Sequence, residues 1–317
     1  MDENIYESKS VHTLIFTFSL PAILSLLVEI LTSVVDTVFA GHLGAASTNA
    51  LTAMGLLSPL LSIYTAFQAL YAVSTSIFVA RHLTHKTVRD SHFATGILFT
   101  FLVSTAVSTA SFLGIDSILN LLGAKKEVFF FAKHYLEIQL ISNIFSAMGY
   151  TLTSCIRAFG FPKIEMAFTT LSVAVNLIGN MIFAFGLNMG FTGLALGTLV
   201  SEIFCAGISA IWFAKRNLLP QIQSILNSRC IAKALELFRL GLAQTVIQAL
   251  GGCTGFFLNS SIMLYATVTH VAIWNIVLKI YTLLLMPIVG ITQSVQTIIA
   301  YYTGNSQSTK KQKTIRL

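Results

Sequence analysis

Charge is scarce in this sequence, and the scarcity excludes most of what a chain can be. Asp, Glu, Lys and Arg make up only 10% of its 317 residues, against 55% hydrophobic. A soluble domain carries roughly 25% charged residues, so too few remain here to solvate a globular surface. No GxxxxGK[ST] stretch occurs, so ATP does not drive anything from a P-loop within the chain. HExxH and GxSxG are missing too, which argues against a hydrolase; the chain does not read as an enzyme. Cys155, Cys205, Cys230 and Cys253 are isolated, without metal or redox spacing, and are expected to be small core residues. His82 and His85 have no acidic or Cys partner at ligand spacing, so no metal site is expected there. Met1 to Lys9 includes Asp2, Glu3 and Glu7, unlike the basic start of a cleaved signal peptide.

What is present is a succession of apolar runs, each near the roughly 20 residues that cross a bilayer. Eight spans are expected, at 13–40, 50–80, 93–114, 134–156, 164–187, 190–213, 237–265 and 270–302. They lack the alternation of barrel strands, so the fold class is all-α, a polytopic membrane helix bundle. Asp116 to Leu122 reads as a short interfacial piece. Residues 215–236 alternate apolar and polar residues at helical spacing, as an amphipathic linker on the membrane surface would. That linker divides a six-helix unit, 1–214, from a partial second lobe, 237–317. Spans one and two resemble spans seven and eight weakly, with Asp36 beside Asn259, as in the parallel repeats of some transporters. Placing the N-terminus in the cytoplasm puts Arg81, Lys86, Arg89, Arg157, Lys163, Lys215, Arg216 and the basic tail on one side, leaving Lys125, Lys126 and Lys133 outside. That bias predicts an N-in, multi-pass protein of the inner (plasma) membrane. The net charge of +7 is thereby a topology signal, not a nucleic-acid surface.

Ionisable and polar residues at membrane depth are costly and mark candidate function. Glu29 and Asp36 lie two turns apart on one face of span one, with Ser25, Thr32 and Ser33. Span five aligns Thr169, Ser172, Asn176 and Asn180, and span six adds Thr198 and, a turn later, Glu202. Asp36, Asn176, Asn180 and Thr198 all offer oxygen, the ligand a hard cation such as sodium prefers; interhelical hydrogen bonding is the plainer alternative. Lys279 is the one Lys or Arg expected deep in the second unit. Glu137, one turn after Lys133, is expected to pair with it. Pro21, Pro59 and Pro287 permit bending, and Gly193 with Gly197, and Gly251 with Gly255, are spaced for close helix contact.

Several of these segments resemble the multidrug and toxic compound extrusion (MATE) family. FSLPAILSLLVEILTSVVDTVFAGHLG is similar to that family's first helix, and GAKKEVFFFAKHYLEI to the approach to its fourth. RAFGFPKIEMAFTTLSVAVNLIGNMIFAFGLNMGFTGLALGTLVSE resembles its fifth and sixth helices, and PIVGITQSVQTIIAYYTGNSQ the end of its eighth. The resemblance implies a twelve-helix antiporter in two lobes, exporting amphipathic, often cationic compounds against sodium or proton influx, with no other cofactor. It implies a cation site at Asp36, Asn176 and Thr198, with Asn180 where the family has an Asp. Glu29, Glu202 and Lys279 would then face a substrate cavity. Length departs from the pattern: the chain stops at Leu317, where a ninth helix would begin, so an incomplete second lobe is expected. That expectation leaves room for a second chain supplying four helices. It also leaves two rival readings, an inactive or split-transporter remnant and a lipid-linked saccharide flippase of the same superfamily.

Overall fold

The structure is a computed structural model describing residues 5–124, 126–220, 230–265 and 268–316. Eight long helices account for most of it: α1 (Val11–Gly41), α2 (Ser47–Arg81), α3 (Lys86–Leu113), α4 (Lys126–Ala158), α5 (Pro162–Asn180), α6 (Gly190–Lys215), α7 (Cys230–Tyr265) and α8 (Val268–Gly304). They fall on the eight expected runs, and all but α6 begin before the apolar stretch because polar residues ahead of it join the helix, while α3 and α5 end short of the expected 114 and 187. Ser10 caps α1, its Oγ accepting from the Thr13 amide at 3.3 Å. Pro162 opens α5 at a position where its missing N–H costs nothing. A π-helical turn, Met181–Gly186, continues α5. The short helices Ile5–Ser8, Ile115–Leu121 and Ser308–Arg316 complete the described elements, together with one 3-10 turn.

Among the described residues six helices are long and apolar enough to cross a membrane: α1, α2, α3, α5 with its π turn, α6 and the Ile280–Gly304 part of α8. The bundle explains why α4 is more polar. It packs against α2, α3 and α6, so its amides meet protein instead of lipid: Asn143 accepts from Gln68 and donates to Ser108, both at 2.9 Å. A shared core of Leu57, Tyr64, Leu136, Leu140 and Leu194 joins α2, α4 and α6. On the rim, Phe16, Leu113 and Leu284 stand exposed, as expected of side chains that a bilayer covers.

Helices α7 and α8 do not pair mainly with each other. α7 lies along α2, and α8 along α1 and α2. At Gly290 on α8 an added Cβ would lie 2.9 Å from the backbone nitrogen of Ile23 on α1, so this crossing needs glycine. Gly193 and Gly197 likewise bring α6 onto α5. Gly251 and Gly255 do not behave as their spacing predicts, since among the described residues a Cβ at either would meet no atom within 4 Å.

Three further expectations change. The linker of 215–236 ends earlier than its amphipathic pattern suggests, because α7 begins at Cys230; residues 221–229 lie outside the described ones. Lys133 pairs with Asp116 at 2.7 Å instead of Glu137, the short helix Ile115–Leu121 bringing Asp116 over it. Arg157 is not a loop cation: it occupies the last turn of α4 and is buried. The backbones of Asn259 and Lys279 belong to α7 and α8, but their side chains lie outside the described residues.

Candidate transport cavity

The polar faces of α1, α5 and α6 converge on one cavity of about 530 Å³. Glu29, Thr32, Ser33 and Asp36 reach it from α1, Thr169, Ser172 and Asn176 from α5, and Thr198, Ser201 and Glu202 from α6. Their helical periodicity puts them there, since residues three and four apart share a face. Asn180, fully buried, lies just behind this wall. Its Nδ2 donates to Asp36 Oδ1 at 2.6 Å and to Asn176 Oδ1 at 3.1 Å. Asn176 Nδ2 in turn donates to Thr198 Oγ1 at 3.3 Å. A chain of hydrogen bonds thus links three helices through the four residues expected to form a cation site.

Glycine makes that chain possible. At Gly197 a Cβ would sit 2.8 Å from the Asn180 backbone nitrogen and would overlap its side-chain oxygen. Asn180 Oδ1 is buried without a hydrogen-bond partner among the described residues and packs on the open face of that glycine. Asp36, Asn176 and Thr198 still present oxygens in one cluster, the donor set a monovalent hard cation accepts.

Sequence reading missed the rest of the wall. Gln68 and Thr65 from α2, Ser146, Tyr150 and Thr153 from α4, Gln248 from α7, and Met286, Val289 and Gln293 from α8 also line the cavity. Glutamine gave no warning because a neutral amide breaks no rule of membrane composition as a carboxylate does. Among the described residues no Lys or Arg lines the cavity, whereas Glu29, Asp36 and Glu202 do. Three carboxyl groups in a lining whose described residues include no Lys or Arg favour positive charge. Its Leu26, Ile30, Val173, Met286 and Val289 offer apolar contact as well.

Beyond the cavity, toward the α4–α5 turn, Arg157 Nη1 donates to Glu165 Oε1 at 2.8 Å and to Gln293 Oε1 at 3.2 Å. Both members of this ion pair are under 10% exposed.

A family model, MatE, matches residues 21–182 of the chain. Over 320 residues the chain is 25% identical to the multidrug export protein MepA of Staphylococcus haemolyticus, covering 100% of this chain and 70% of that protein. It is 26% identical to MepA of Staphylococcus aureus over 308 residues, covering 95% of this chain and 67% of the relative. Its fold is similar to an outward-facing multidrug resistance MATE transporter of the MOP superfamily, with a TM-score of 0.89 at 23% identity, over 99% of this chain and 70% of that one. A MOP superfamily transporter from Pyrococcus furiosus superposes with a TM-score of 0.89 at 22% identity, over the same shares.

Proposed function

The chain belongs to the MATE family of membrane transporters, and from that premise we propose that it takes part in export of amphipathic cations coupled to inward movement of sodium or protons. The MepA relatives are named multidrug export proteins, and the cavity has the chemistry for such cargo. Its carboxylates face no Lys or Arg among the described lining residues, which disfavours a pyrophosphate-bearing lipid, whose recognition calls for basic side chains. The observation that carries the coupling is the Asp36–Asn180–Asn176–Thr198 chain inside that cavity. An ion or proton taken up at Asp36 rearranges these bonds, and so biases the packing of α1 against α5 and α6. Alternating access follows if that packing has two arrangements. In this reading the N-terminus is cytoplasmic and the chain sits in the cell membrane, as the distribution of Lys and Arg predicts.

The test is efflux of a fluorescent cationic dye from pump-deficient cells expressing residues 1–317, beside the Asp36→Asn variant, with membrane insertion measured in both. Efflux lost in the variant supports the reading. Undiminished efflux removes Asp36 from the mechanism. A well-inserted chain without efflux means that export needs helices beyond these eight, supplied in the same polypeptide or by a second chain.

A further inference from the structure

We propose that Arg157, Glu165 and Gln293 form the gate that seals the cavity at the end nearest the chain's N-terminus, with a tyrosine layer outside them as its latch. Gln293 is the hinge of the argument, since it lines the cavity and also accepts from Arg157. Arg157 lies one turn past Thr153 on α4, and Glu165 one turn before Thr169 on α5; both threonines line the cavity, whereas the ion pair does not. The pair therefore occupies the next layer of side chains. It joins α4 and α5, while the bond to Gln293 fastens them to α8.

A second layer closes over the first. Tyr6, fully buried, donates its hydroxyl to the Ala158 carbonyl at 2.9 Å and stacks on Tyr301 with ring centroids 4.3 Å apart. Tyr302 donates to the Tyr6 carbonyl at 3.3 Å, and Tyr301 to Glu7 Oε1 at 2.9 Å. Lys310 of the tail helix reaches the other Glu7 oxygen at 2.9 Å. The short helix Ile5–Ser8 is thus clamped between the end of α4 and the end of α8. Any motion opening the cavity on this side must part both layers.

A buried ion pair is a poor choice for stability, because desolvating two charges cancels much of their attraction. Apolar residues would pack this site at lower cost. The pair gives a contact with two defined states, bonded when closed and hydrated when open, in place of a continuum of sliding apolar contacts. Two atoms, Arg157 Nε and Glu165 Oε2, are buried without a hydrogen-bond partner among the described residues in the closed form. Their hydration on opening offsets part of the cost of breaking the pair, which keeps the two states close in energy.

This inference rests on the transporter reading, and its test needs no transport. Native Cys205 lines the cavity and is 7% exposed. A small membrane-impermeant thiol reagent is applied to inside-out and right-side-out vesicles carrying the whole chain, and modification of Cys205 is read by mass spectrometry. Gln293→Ala cuts the strut to α8 without orphaning a charge, and Gln248→Ala removes another cavity amide as a control. We expect Gln293→Ala to raise Cys205 labelling from the N-terminal side roughly tenfold, the change produced by losing one strut of a two-state contact. Gln248→Ala should leave it at the wild-type rate. Glu165→Gln should open the same side, and the exchange Arg157→Glu with Glu165→Arg should close it again. Unchanged labelling in Gln293→Ala, or an equal rise in Gln248→Ala, overturns the gate. A gate that behaves as expected in a chain whose Asp36→Asn variant exports dye undiminished would leave this inference standing while the proposed coupling at Asp36 fails.

Discussion

The cavity ends in two polar clusters built on opposite principles. Toward one end, Asp36 receives a hydrogen bond from Asn180, and two amides and a hydroxyl carry the chain onward to α6. Toward the other, a carboxylate is matched against a guanidinium, and one amide ties the pair across to α8. The first holds its carboxyl group with neutral amides and a hydroxyl, which can exchange partners with an incoming ion, as the coupling proposed for it requires. The second is an all-or-none contact, which suits a seal. Both lie within one bundle and combine a carboxyl group with amides, so the difference in the tasks proposed for them rests on the guanidinium, which only the second contains.

The comparison breaks most severely at the ion pair. Replacing Glu165 with Ala leaves Arg157 buried and uncompensated, which should cost about 3–5 kcal/mol. Thermal unfolding in detergent should report that loss as a large fall in midpoint. Replacing both members with apolar residues of similar volume should recover most of it. If the double replacement unfolds as early as the single one, the pair is not the unit described.

At the other cluster the largest expected effect is steric. Gly197→Ala drives a methyl group into Asn180 at the α5–α6 crossing, and overpacking of this kind costs about 1–3 kcal/mol. Gly251→Ala, made where a Cβ meets nothing within 4 Å among the described residues, should be tolerated in the same melting experiment. Equally small losses would mean that the crossing at Gly197 has room for a methyl group. Asn180→Asp sharpens the chemistry further. It sets a second carboxylate beside Asp36 in place of the donor, so the sodium-free protein should melt earlier. Sodium should then stabilise it more than it does the wild type, with roughly tenfold tighter binding, since ligand charge tunes cation affinity. An identical sodium response in both proteins would detach this cluster from the coupling ion.

Much of this was legible in the sequence, for identifiable reasons. Eight apolar runs gave eight helices because lipid leaves the backbone few alternatives. Asp36, Thr169, Ser172, Asn176, Thr198 and Glu202 could be assigned to inward faces, since each stripe repeats at the helical period and polar faces avoid lipid. That Asp36 meets Asn180 was suggested by the family resemblance, and no periodicity within a single helix could show it. Arg157 was misread because a cation at a helix end satisfies the topology rule whether it faces water or protein; only its neighbour Glu165, across the turn, tells them apart. Lys133 was misread for a related reason: the local i,i+4 partner Glu137 lost to Asp116 from another helix. Local rules fail where a tertiary partner offers better geometry.

The smallest expected effect concerns the latch outside the gate. Partial burial disfavours the Glu7 charge, but hydrogen bonds from Lys310, Tyr301 and Gln307 outweigh it, and the carboxyl titrates below its ordinary range. A group whose folded value is depressed contributes stability above its unfolded value and loses it as pH falls through the folded one. The latch should therefore hold at neutral pH and weaken as acid protonates Glu7, below the usual carboxylate range. Its Lys310 partner is 39% exposed and Glu7 40%, so solvent screening keeps the contribution under about 1 kcal/mol. Glu7→Gln should mimic the acid form at neutral pH, loosening the tail helix without opening the ion pair beneath. Amide hydrogen exchange over residues 5–8 and 308–316 would register this as faster exchange in Glu7→Gln at neutral pH, with the two proteins converging in acid once intrinsic rates are corrected. A difference that persists in acid would mean that Glu7 acts through packing and not through its charge, and the latch would then be as insensitive to pH as the aromatic stack it guards.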